Sequence, residues 1–221
     1  MEMQTEIKKE HPSLIGMFTS PGEQFERIKQ NPKIWLPLTI ICIIFGVGMA
    51  LMALSMDVTT LIDQGIPEDQ AELILGITRI TVAVTGIVSP IISVLVSSAI
   101  YLLIAKIANS SVSFKQLFSL NTFIMFVGAI GLILNMAIRY GIGGNPEIYV
   151  TSLAGVLNLD KPGVLGSIEV FGIWTTVLTA LGLHKTAGFS KGLAWTVAII
   201  FFLITIGFAL IGTALQSAPQ L

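Results

Sequence analysis

Gly192-Leu193-Ala194-Trp195-Thr196-Val197-Ala198-Ile199-Ile200-Phe201-Phe202-Leu203-Ile204-Thr205-Ile206-Gly207-Phe208-Ala209-Leu210-Ile211-Gly212-Thr213-Ala214-Leu215 holds 24 residues and no charge. As a helix it reaches about 36 Å at 1.5 Å per residue, enough to cross a hydrocarbon core of about 30 Å. Four more runs read the same way: Ile34–Met56, Ile80–Ala105, Gln116–Ile138 and Pro162–Leu183, the last broken only by Glu169. Composition agrees, with 53% hydrophobic and 11% charged residues. The sequence predicts an all-α integral membrane protein, a bundle of five transmembrane helices with a short amphipathic N-terminal helix. With their flanking residues the spans cover about 33–56, 80–105, 115–138, 162–183 and 191–215. They form one membrane domain over 13–215, between a flexible cytoplasmic tail (1–12) and a C-terminal tail (216–221).

Charge orients the spans, because Lys and Arg are retained on the cytoplasmic side. Nine of the 12 basic residues fall before the first span, between the second and third, or between the fourth and fifth. Only Arg79, Arg139 and Lys161 fall on the other side. The expected topology is a multi-pass protein of the cell membrane, with a cytoplasmic N-terminus and an outer C-terminus. The first 33 residues hold no short apolar stretch ahead of a small-residue cleavage site, so the first span is expected to remain as an anchor. A net charge of −1 argues against nucleic acid as a partner.

Ser20-Pro21-Gly22-Glu23 has the signature of a helix start, with Ser20 as cap, Pro21 in the first turn and Glu23 bonding back. The helix that follows sets Phe25 and Ile28 on one side, with Arg27 and Lys29 beside them. It is expected to lie on the inner membrane surface, or to dock a cytoplasmic partner. Outside, Glu68 and Asp69 open an acidic helix that leads into the second span. Phe25, Ile28, Arg27, Glu68 and Asp69 are the candidate partner surface. Residues 148–159 form a 12-residue uncharged run, too short to span and expected as an interfacial or re-entrant helix.

Glu169 is the one charge inside a predicted span, about 10 Å from its outer end. Charges at that depth are costly and are paired or functional. Arg139 and Arg79, at the outer ends of neighbouring spans, are the expected partners, and Asn135 is a second internal polar group. These four are the candidates for a polar lock between helices or for an ion site. His11 and His184 lack the spaced companions of a metal site, and Cys42, alone within the first span, reads as a small buried side chain. No phosphate-binding loop, nucleophile elbow or carboxylate pair is present, so no catalytic residue and no cofactor is assigned.

Three stretches together resemble one family. Met17-Phe18-Thr19-Ser20-Pro21-Gly22-Glu23-Gln24-Phe25-Glu26-Arg27-Ile28 with Asn31-Pro32 is similar to the entry segment of the Yip-one (Ypt-interacting protein) domain family. Ala105-Lys106-Ile107-Ala108 and Ser113-Phe114-Lys115-Gln116-Leu117-Phe118 resemble its connection between spans two and three. Glu169-Val170-Phe171-Gly172-Ile173-Trp174, continuing to Leu181-Gly182-Leu183-His184, resembles its acid-x-Phe-x-x-Trp … Gly-Leu motif, with Glu where Asp is commoner. The likeness covers about residues 14–212. It implies a five-span bundle with a cytoplasmic N-terminus. Eukaryotic members are associated with Rab-type GTPases and membrane trafficking, and some bacterial ones look like accessory subunits beside ABC-type exporters. It gives Glu169 and Trp174 shared positions without a catalytic role.

Two readings follow. The first is a non-enzymatic membrane protein that assists or assembles a membrane complex, with the bilayer and another membrane protein, or a second copy, as partners. The second is an autonomous transporter or channel that uses Glu169.

Overall fold

The computed structural model describes residues 10–62 and 65–217, and every regular element among them is helical. Two short helices, α1 (Gly16–Thr19) and α2 (Pro21–Gln30), precede α3 (Trp35–Leu54). A single turn, α4 (Thr59–Ile62), leads to α5 (Glu68–Ile107), and α6 (Phe114–Ile142) follows. The next connection contains α7 (Leu153–Val156) and a 3-10 turn (Val164–Ser167) before α8 (Val170–Lys185) and α9 (Lys191–Ser217). Most of the expected 1–12 tail, and residues 218–221, lie outside the described residues.

Among the described residues, four helices are long and apolar enough to cross a membrane: Trp35–Leu54, Glu68–Ile107, Phe114–Ile142 and Lys191–Thr213. The run expected as a fourth span is divided instead. Pro162, Gly163 (φ +47°) and Gly166 break the regular helix, and the chain becomes helical only after Glu169. Thus α8 has 16 residues and reaches about 24 Å.

Helix ends follow local chemistry. Ser113 accepts from the Gln116 backbone while Gln116 Oε1 accepts from the Ser113 backbone, a reciprocal capping box for α6. Gly188, at φ +71°, turns the chain between α8 and α9. The box expected at Ser20 does not form. The Ser20 hydroxyl accepts from Gln24 Nε2 (3.2 Å), and Glu23 pairs with Arg27 (2.6 Å).

α6 is the central helix, buried along most of its length by α3 and α5 on one side and α8 on the other. α8 runs antiparallel to it, setting Phe171 beside Gly131, Thr175 near Gly128, and Gly182 against Leu120. Two of these glycines permit the approach. A Cβ at Gly131 would stand 2.6 Å from the Phe171 ring, and one at Gly182 would stand 2.5 Å from Leu120. The main core gathers Phe25, Leu117, Phe123, Leu178, Leu183 and Phe189. α5 and α9 instead turn Ile80, Leu103, Leu203 and Phe208 outward, the large apolar surface that a bilayer covers.

The N-terminal helices do not lie on a membrane surface with Phe25 and Ile28 in lipid. Both side chains are fully buried in protein, because α2 closes the near end of α6 and α8. Thr186 Oγ1 donates to the Phe25 carbonyl (3.0 Å), and Gln116 Nε2 to the Lys29 carbonyl (2.7 Å). Lys33 and Ser119 exchange two more hydrogen bonds. α1 wedges beside α6, with Phe18 edge-on to Phe126 at 6.1 Å between ring centres. Buried Gln24 joins α1 to α2, its Oε1 accepting from the Ser13 backbone (2.8 Å).

Candidate functional site

Asn135 and Glu169 meet at the end of the bundle opposite the N-terminal helices. Asn135 stands seven residues inside the end of α6, about 10 Å along its axis. The connection between α6 and α8 folds back to that depth and brings Thr151 between the two. Asn135 Nδ2 donates to the Gly131 carbonyl (2.8 Å) and to Thr151 Oγ1 (2.8 Å), and its Oδ1 accepts the Thr151 backbone N–H (3.0 Å). Thr151 Oγ1 lies 2.5 Å from Glu169 Oε1 and 3.1 Å from Asn135 Oδ1. A hydroxyl has one proton, and the shorter, charge-assisted bond to Glu169 takes it.

Glu169 is the N-cap of α8, with Oε2 accepting the Gly172 N–H at 2.8 Å. Ser152 and Glu169 also form an isolated antiparallel bridge, through Leu153 N–H to the Ile168 carbonyl and Val170 N–H to the Thr151 carbonyl. The non-helical backbone here is thus satisfied internally. Asn135 is 0% and Glu169 8% exposed. Beside them, burial first and the Glu169 carboxylate second push the Tyr149 phenol up to about 12.

The expected pairing of Glu169 with Arg139 or Arg79 is not made. Arg139 Nε donates to the Ile148 carbonyl (2.8 Å), which pins the returning loop to the end of α6. Arg79 donates to the carbonyls of Ala53 (3.0 Å) and Met56 (2.6 Å), where a cation meets the negative end of α3. The expected helix over 148–159 is also absent. It is a set of turns around the four-residue α7, because Thr151 and Ser152 direct their polar groups inward, and Ser152 caps α7 at Gly155. Of the candidate partner surface, Phe25 and Ile28 are enclosed and Arg27 pairs with Glu10 and Glu23, whereas Glu68 and Asp69 stand exposed at the start of α5.

Thr151, Tyr149, Gln24 and the buried Asn121–Ser98 hydrogen bond (2.8 Å) were not singled out by the sequence pattern. The available signal for Thr151 was the Thr-Ser pair with Gly155 after it, a capping pattern rather than a continuous helix. Among the described residues no three His, Cys, Asp or Glu side chains gather as a metal site needs.

Long apolar helices around a central buried helix, with interior polar groups joined to one another, define a multi-pass helical membrane protein. The chain belongs to the Yip1 domain family, whose sequence model matches residues 15–213. It is 36% identical over 227 residues to the membrane protein YknW of Bacillus subtilis (strain 168), covering 97% of this chain and 98% of that protein. No solved structure matches.

Proposed function

We propose that this chain is a non-enzymatic membrane protein that assists or assembles a membrane complex, with a subunit of an ABC-type exporter as the partner. The observation that carries this reading is α5. Its 40 residues reach about 60 Å, roughly twice a hydrocarbon core. Leu73, Ile77, Ile80 and Val84 are all exposed on it at helical spacing, so one apolar stripe continues from the membrane-length portion towards the acidic turn of Glu68 and Asp69. Such a stripe suits another membrane protein that meets this one both within and beyond the bilayer.

The proposed topology has five crossings, with the N-terminus cytoplasmic. The basic-residue count supports it, as does the antiparallel return of α8 along α6. The 3-10 turn and the capped, internally bonded loop then complete what 16 helical residues leave uncrossed. Cysteines replacing Asp160 and Lys191 should label from opposite faces of the membrane, and labelling from one face overturns the fifth crossing.

The partner reading is tested with a photocrosslinking amino acid at Leu73 or Ile77 in native membranes, followed by mass spectrometry. A transporter subunit captured at these positions, and not at buried Val94, supports it. Capture of lipid alone, or of a second copy alone, moves the weight to autonomous transport, where Glu169→Gln becomes the deciding variant.

A further inference from the structure

A cleft of about 530 Å³ opens between the last turns of α3 and α9, beside the connection that leads to Glu169. α3 packs on α5 and α6, and α9 on α8, so the cleft lies where two differently anchored helices diverge. Met49 and Met52 form its apolar wall, Gly212 keeps it open from the α9 side, and Tyr149, Glu147 and Lys161 stand around it. Among the described residues, and apart from its own helix backbone and chain neighbours, no atom lies within 4 Å of where a Gly212 Cβ would be, so there is open space on that side. Among the described residues, Glu147 and Lys161 make no ion pair with each other or with any third group, and both are exposed. Tyr149 also lines the cleft, and its phenol, neutral at pH 7, can donate a hydrogen bond.

We propose that this cleft binds one zwitterionic phospholipid, with phosphatidylethanolamine fitting best. The depth supports this source. Met49 and Met52 occupy the last two turns of a membrane-length helix, and the charged pair lies in the loop just beyond it. An apolar wall below and opposite charges above is the arrangement of an amphiphile at a bilayer interface. Lys161 and the Tyr149 hydroxyl offer donors to the phosphate, and the Glu147 carboxylate accepts from the primary ammonium. The two methionines adapt to an acyl chain because thioethers are flexible and polarizable. Phosphatidylglycerol lacks the cation that Glu147 requires, and the quaternary head of phosphatidylcholine cannot donate a hydrogen bond to it.

The test uses the full chain, purified in detergent, stripped of lipid and supplied with phosphatidylethanolamine, phosphatidylcholine or phosphatidylglycerol. Native mass spectrometry counts what stays bound. One charged hydrogen bond should favour phosphatidylethanolamine by about tenfold or more over the other two. Lys161→Glu and Glu147→Lys should each lower its retention by about tenfold, and the double exchange should restore part of the loss. Gly212→Trp should abolish the adduct by filling the cleft, while Ile211→Trp, outside it and exposed, should not. Equal retention of the three lipids overturns the proposal, as does an adduct that persists in Lys161→Glu. If Gly212→Trp fails to fold, Lys161→Glu decides, because its side chain is exposed and unpaired. A peptide retained in place of lipid likewise overturns it.

Discussion

Replacing Thr151 by Val deletes one hydroxyl and keeps the shape of the side chain, so no cavity complicates the outcome. Two bonds go: the donation to Glu169 Oε1 at 2.5 Å and the acceptance from Asn135 Nδ2 at 2.8 Å. The backbone bond from Thr151 to Asn135 Oδ1 remains. A hydrogen bond to a charged group contributes about 1.5–3 kcal/mol, and the stranded Asn135 N–H adds a desolvation cost. Measured polar pairs between membrane helices are weaker, about 0.6 kcal/mol on average and about 1.7 at most. With a carboxylate involved, the expected loss for Thr151→Val is about 2 kcal/mol. Thr151→Ser keeps the hydroxyl and should lose less than about 1 kcal/mol. SDS titration of the purified protein, followed by tryptophan fluorescence, measures both. Thr205→Val is the control, since Thr205 is exposed and bonds only to its own helix at Phe201. If Thr151→Val unfolds within about 0.5 kcal/mol of the parent, or if the Ser variant is as damaged as the Val variant, the chain from Asn135 to Glu169 is not holding these elements together.

Gly131→Val should destabilise by about 2 kcal/mol or more, because its Cβ would meet the Phe171 ring at 2.6 Å, whereas Gly192→Ala, with open space at its Cβ, should be neutral or slightly stabilising in the same SDS titration. Gln24→Leu removes the acceptor of the Ser13 N–H and the donor to Ser20, so hydrogen exchange and proteolysis over residues 10–20 should accelerate about tenfold or more while α6 stays protected. Tyr149 carries a pH signature. Its folded pKa is raised from 10.0 to about 12, so the neutral phenol contributes stability that is complete below pH 10 and lost as pH rises towards 12. Tyr149→Phe should lack that part of the alkaline loss, and identical alkaline unfolding curves would refute it.

The all-helical membrane class was legible because long uncharged runs have few other physical solutions. Gln116–Ile138 and Gly192–Leu215 fall within α6 and α9, and the Ser113 capping box is where its spacing placed it. Pro162–Leu183 is not one continuous helix, and the reason is local. Hydropathy averages over Gly163 and Gly166 without registering that the positive φ at Gly163 is not helical, so the eight residues 162–169, four of them a 3-10 turn, passed for α-helix. The α2 face was legible as apolar, but one sequence cannot tell burial against lipid from burial against protein. Both need the same Phe25 and Ile28, and only tertiary contact with Leu120 and Gly182 decides. Interior polar pairs such as Asn121–Ser98 join residues 23 apart on different helices, which no local pattern specifies.

Glu169 is satisfied without the cation expected beside it. A lone acid deep in an apolar run suggests a cation nearby, and Arg139 and Arg79 were the cations within reach. A cation is needed only where the acid lies inside a helix, whose backbone offers no free donors. As N-cap of α8 it instead faces unpaired N–H groups and the positive end of the helix dipole, with Gly172 N–H already bound at 2.8 Å. Thr151 occupies the other oxygen, so both carboxylate oxygens are engaged without a guanidinium. The arginines are then free for the task that a loop-rich helix end demands, satisfying carbonyls at Ala53, Met56 and Ile148. An ion-conducting acid must exchange its partners as cargo passes. One whose two oxygens hold a helix start and a returning loop cannot do so without loosening both, which favours the lock. Glu169→Gln separates the cases. Its amide keeps one acceptor and loses the other, so a lock should weaken by about 1 kcal/mol, the cost of a lost cap. Stability unchanged, together with loss of a proton-dependent activity, would return Glu169 to the transport reading.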